Sequence, residues 1–169
     1  MKIEAILLEL GNQMGLPNLK LDNNKVCRLI FDKKFTVDIE ASEDLKIVHL
    51  YSAICVIPPR DKENLYESLL EANLFGRGTG GSTFGVDLET GEILLSRTME
   101  MEKVDYQDFV NVLESFVNHV EAWTDKIDKG EYSRDRRGIS SSSSSSGAKP
   151  PTTHRGGESE GPPEGFIRA

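Results

Sequence analysis

Cysteine is scarce in this chain. Only Cys27 and Cys55 occur in 169 residues, with one tryptophan and three histidines. The two cysteines sit far apart in apolar, strand-like runs and lack CxxC spacing. The sequence therefore predicts buried thiols in a reducing compartment, not a disulfide or a metal site. None of His49, His119 and His154 has a partner at metal-ligand spacing, so neither a metal nor a cofactor is expected. No apolar run approaches the length of a membrane span. The opening MKIEAILLELGNQ carries Glu4 and Glu9 inside its apolar stretch, which a secretory leader does not tolerate, and the expected location is the cytoplasm. Positive charge is also in short supply. The net charge is −8, and residues 1–130 alone hold 14 Lys/Arg against 23 Asp/Glu. Such a domain repels phosphate backbones and anionic lipid, so neither nucleic acid nor membrane is expected as a partner.

Catalytic signatures are equally absent, and no catalytic residue is expected. The glycine-rich stretch Gly76-Arg77-Gly78-Thr79-Gly80-Gly81-Ser82 follows a helix and precedes a strand. That is the reverse of a phosphate cradle, where a helix N-terminus points at the anion. The expectation here is a flexible turn. Asp38 and Glu40 share one face of a strand, which reads as a solvated outer face and not as an acid–base pair. Ser68 has no nucleophile-elbow context.

What is present is a patterned folding unit over residues 1–130, followed by a tail over residues 131–169 that is rich in Ser, Gly and Pro. The tail, with its serine run at 140–146, has too few large apolar side chains to order itself. In the folding unit, Ile3, Ile6, Leu7, Leu10 and Met14 recur at helical spacing, and Gly15 and Pro17 stop the helix. Residues 26–31 and 35–40 read as a hairpin, with Phe35, Val37 and Ile39 alternating with polar residues. A longer strand over 45–57 ends at Pro58-Pro59. Asp61 reads as an N-cap for a helix over 62–75. Residues 83–88 and 92–99 flank Glu89-Thr90-Gly91 as a second hairpin. Asp105 caps a last helix whose stripe is Phe109, Val112, Leu113, Phe116, Val120, Trp123 and Ile127. The order is αβββαββα, an α+β fold with a mostly antiparallel sheet and three helices.

Apolar residues occur on both sides of several strands: Val26 and Ile30 against Cys27, Leu29 and Phe31; Ile47 against Val48, Leu50 and Ile54; Leu94 against Ile93 and Leu95. Three helices are not expected to cover both faces of five strands. The surplus predicts a dimer interface, a ligand groove or a surface for another chain.

The run LLEANLFGRGTGGSTFGVDLETGEILLSRTMEMEKVDYQDFVNVLESFVNHVEAW resembles the class I type III secretion chaperones, the Tir chaperone family. The resemblance lies in a leucine-rich helix ending at Asn73, a glycine-rich turn, a strand–TG–strand hairpin and a final amphipathic helix with Phe116, Val117 and Trp123. It covers about residues 1–130, and the tail has no counterpart in it. It implies a homodimer that binds the N-terminal region of a secreted effector protein, keeps it soluble and partly unfolded, and presents it to the export ATPase. It also implies that no reaction is catalysed. An alternative of the same fold is a regulatory protein that sequesters a secretion regulator. By position, the resemblance assigns effector binding to Leu7, Leu10, Phe31, Phe35, Val37, Val48, Leu50 and Leu94. It assigns the dimer interface to Leu65, Leu69, Leu70, Leu74, Phe84 and Val86. An extended client can add backbone hydrogen bonds at a sheet edge and seat alternate side chains in pockets.

Overall fold

A computed structural model of the chain describes residues 2–16 and 18–132. The expected unstructured tail lies, beyond residue 132, outside the described residues. Helix α1 spans Ile3–Met14, with Ile3, Ile6, Leu7 and Leu10 on its buried face. Gly15 closes it in the left-handed conformation (φ 68°), its N–H donating to the Gly11 carbonyl. Strands β1 (Val26–Phe31), β2 (Phe35–Ser42) and β3 (Ile47–Val56) follow as a meander. Helix α2 (Lys62–Asn73) runs into one 3-10 turn, Leu74–Gly76. Strands β4 (Thr83–Asp87) and β5 (Glu92–Glu100) form a hairpin, and α3 (Tyr106–Asp128) ends the described fold. The element order is the expected αβββαββα, and the class is α+β.

All strand pairings are antiparallel, in the order β1-β2-β3-β5-β4. Register decides which residues share a face. Leu29 lies opposite Val37, Ile39 opposite Leu50, and Phe84 opposite Leu95. These side chains are buried. Helix α3 lies across β2 and β3, α1 packs on α3, and α2 lies beside β4. The stripe of α3, Phe109, Leu113, Phe116, Val120 and Trp123, closes this single core. Helices on one face of an antiparallel sheet leave the other to water.

That other face is mostly polar, which corrects the expectation that both faces of β3 are apolar. Along β3 it shows Ile47, His49, Tyr51 and Ala53. Arg28, Asp38 and Tyr51 stand side by side across three strands. Arg28 grips Asp38 with both arms, Nε to Oδ1 at 2.7 Å and Nη2 to Oδ2 at 2.8 Å. Asp38 is therefore buried and paired, not solvated as expected. The Tyr51 hydroxyl is pushed up to about 12, chiefly by burial, then by the negative charges of Asp38 and Glu40. Exposed apolar side chains occur in several places, Ile30 on this face among them, and one group of them stands together. Leu70, Leu74, Phe75, Val86 and Leu88 are exposed around the end of α2 and the outer strand β4.

The two expected helix caps differ. At Asp105 a full capping box forms, with Asp108 N–H donating to the Asp105 carboxylate at 2.8 Å and the Asp108 side chain accepting from Asp105 N–H. Asp61 makes no side-chain cap. Its backbone is left-handed (φ 61°), outside the extended conformation an N-cap needs, and its carboxylate accepts from the Asn64 side chain instead. Asp105→Ala is thus expected to lower unfolding stability by about 1 kcal/mol in urea melts. Asp61→Gly, which suits a left-handed residue, is expected to leave stability unchanged or raise it slightly.

Candidate functional site

The glycine-rich loop after α2 is tied down at each of its turns, not the flexible connection its composition predicts. Gly78 N–H donates to the Ala72 carbonyl at 3.1 Å, and the buried Thr79 hydroxyl donates to the Ser82 carbonyl at 2.5 Å. The Trp123 indole N–H donates to the Gly78 carbonyl at 2.7 Å, and Arg97 Nη1 to the Gly80 carbonyl at 3.2 Å. Trp123 also meets the Phe84 ring edge-to-face, with centroids 4.9 Å apart. The glycines permit close approach. A Cβ at Gly81 (φ +83°) would fall 2.0 Å from Arg97 Nη1, and one at Gly80 2.5 Å from His119 Cε1. The motif therefore packs the loop against β5 and α3.

Two open apolar grooves flank the core. The first, of about 390 Å³, lies between α1 and α3 and is lined by Leu10, Met14, Phe31, Val110, Leu113 and Val117, with Tyr106 at one end. The Tyr106 hydroxyl is buried without a hydrogen-bond partner among the described residues, and burial raises its pKa. The second, of about 280 Å³, lies between α2 and β4 and is lined by Tyr66, Leu69, Leu70, Asn73, Phe84 and Val86. Its wall is fixed by Asn73. The side chain accepts from Phe84 N–H at 2.8 Å and donates to the Phe84 carbonyl at 3.2 Å, as a neighbouring strand would.

The residues assigned to effector binding divide. Leu10 and Phe31 meet in the α1–α3 groove. Leu7, on the inner face of α1, and Phe35, Val37, Val48 and Leu50, on the sheet face that the helices cover, are all buried in the core. Their side chains hold the fold and offer no open surface. Leu94 lies half-buried on the opposite face, since its neighbour Leu95 points into the core. Of the residues assigned to the dimer interface, Leu69, Leu70, Phe84 and Val86 line the α2–β4 groove, and Leu74 is exposed beyond it. Leu65 is buried inside its own chain.

Sequence reasoning missed Met14, Val110 and Val117 in the first groove and Phe75 and Leu88 near the second. Phe75 is 84 % exposed and has a positive φ of 57°. Only the break of helical geometry after Asn73 reveals it. The thiols of Cys27 and Cys55 are unpaired and raised in pKa, chiefly by burial. Among the described residues no His, Cys, Asp and Glu cluster could hold a metal, and no helix is long and apolar enough to cross a membrane.

Asn73→Ala removes both bonds to Phe84. It is expected to cost about 1–3 kcal/mol in chemical denaturation and to speed hydrogen exchange at the Phe84 amide.

Residues 5–124 match the profile of the Tir chaperone protein (CesT) family. A protein of Chlamydia pneumoniae is 32% identical over 130 residues, covering 76% of this chain and 98% of that protein. Two solved structures share the fold. One is the ExsC–ExsE complex, with a TM-score of 0.63 and 21% identity, covering 73% of this chain and 91% of that one. The other is the Yersinia pestis type III secretion chaperone SycH in complex with a stable fragment of YscM2. It has a TM-score of 0.57 and 18% identity and covers 72% of this chain and 99% of that one.

Proposed function

The chain belongs to the Tir chaperone protein (CesT) family, and from that premise we propose that it is a type III secretion chaperone. It binds the N-terminal region of a secreted effector, keeps it soluble and partly unfolded, and delivers it for export. The observation that carries this reading is the pair of separate apolar grooves, one for each kind of contact the role requires. The α1–α3 groove holds the client. Leu10, Phe31, Val110 and Val117 receive its apolar side chains, and its backbone carbonyl satisfies the Tyr106 hydroxyl, which has no partner among the described residues. The α2–β4 groove, with the exposed Leu70, Leu74, Phe75 and Val86, joins a second copy. An acidic, cytoplasmic homodimer with no chemistry of its own fits both. The unit that does this is residues 1–130, with the tail beyond it as an appendage.

Light scattering of the 1–130 fragment is expected to give twice the chain mass. Leu70→Asp combined with Val86→Glu is expected to give a monomer with unchanged circular dichroism. A monomeric fragment at micromolar concentration would sink the dimer. For the client groove, Val110→Glu is expected to weaken the co-purified effector by about tenfold or more while the dimer persists. Leu50→Asp is expected to unfold the domain, since it places a charge in the core. Undiminished effector binding by Val110→Glu would rule out this groove.

A further inference from the structure

Among the described residues, Arg97 is the one charged side chain that the sheet turns toward its helices. It lies opposite Leu50 on β5, between the buried Leu95 and Met99, and reaches out beneath the glycine loop. Its hydrogen bond to the Gly80 carbonyl uses one arm of the guanidinium. Among the described residues it forms no ion pair, although the chain carries a large excess of carboxylates and other cations use them. The other N–H donors of the guanidinium make no hydrogen bond among the described residues and remain available.

The missing partner has a place. A cavity of about 140 Å³ opens beside Arg97, lined by Gly80, Ser82, Asn111, Ser115 and the apolar faces of Val112 and Phe116. No Asp or Glu lines it. Two serines and an asparagine share the cavity with Arg97, and the Asn111 carboxamide oxygen already accepts from Gln107 Nε2 at 2.9 Å, which leaves its NH₂ as the available donor. Gly81 makes the arrangement possible, because any side chain there would collide with the guanidinium.

We propose that this cavity is a binding site for a single carboxylate, clamped by Arg97 and supported by Ser82, Ser115 and Asn111. The volume is too small for a nucleotide or a drug-sized ligand, which need roughly 300 Å³ or more. A planar carboxylate matches the guanidinium fork. One positive charge in a chain of net −8 balances a monoanion and leaves a phosphate dianion half uncompensated. The site stands on this geometry and not on the chaperone reading. Its carboxylate comes from a free small acid or from an acidic side chain of a bound chain.

The test is an isotope-edited NMR titration of the full chain with acetate, with an end-blocked glutamate, with phosphate, and with chloride at matched ionic strength. Acetate or blocked glutamate is expected to shift the Arg97 Nε–H and Gly80 amide signals saturably in the millimolar range, and chloride to leave them in place. Binding of the blocked glutamate assigns the site to a side chain, and binding of acetate alone assigns it to a free acid. Arg97→Gln is expected to abolish saturation with the Trp123 indole signal unmoved. Arg97→Lys, which keeps the charge and loses the fork, is expected to weaken binding about tenfold. No saturable shift, equal shifts with chloride, tighter binding of phosphate than of acetate, or undiminished binding by Arg97→Gln would each overturn the proposal.

Discussion

The structure rests on the burial of one sheet face under α3. A five-stranded sheet presents two faces, and a single long amphipathic helix with one short partner can seal only one of them. The stripe from Phe109 to Trp123 does so across β2 and β3. Everything else follows from where that seal ends. On one flank of α3 it stops short of α1 and leaves the groove at Leu10 and Phe31. At its far end Trp123 reaches over Phe84 and pulls the glycine loop down, which sets β4 and α2 beside each other with the second groove between them.

The outer face shows how the uncovered side is kept soluble without becoming featureless. Arg28 and Asp38 close over each other across adjacent strands, and Tyr51 completes the row. The fold is therefore asymmetric: one sheet face is apolar and sealed, the other polar and internally paired. Of the apolar side chains left exposed, Leu70, Leu74, Phe75, Val86 and Leu88 lie together at the α2–β4 end, while others such as Leu8, Ile30 and Leu45 stand elsewhere on the surface. A contiguous group of this kind favours a defined contact, which scattered single residues do not.

Element order was legible because periodicity is local. The stripe of α3, the alternation of β2 and the cap at Asp105 each announce themselves within a few residues. The face assignments were not, because alternation says which residues share a side and not which side the helices cover. Leu7, Val37 and Leu50 look like binding surface by position, and they are core because α1 turns Leu7 inward and the helices cover the sheet face of Val37 and Leu50. Val110 and Val117 flank the α3 stripe and were passed over for the same reason. Asp61 has the right residue type for a cap, yet its left-handed backbone defeats it, and backbone sign is not written in residue type. The loop at 76–82 misled through composition: its glycines answer to the bulk of Arg97 and His119, which are distant in sequence.

The Asn73 carboxamide carries a further consequence. β4 is the last strand of the sheet, and an unguarded outermost strand invites identical molecules to add to one another without limit. At Phe84 the two backbone groups that would seed such a polymer are already occupied by the side chain of Asn73. A single amide from its own helix makes the rim of the sheet inert at that point.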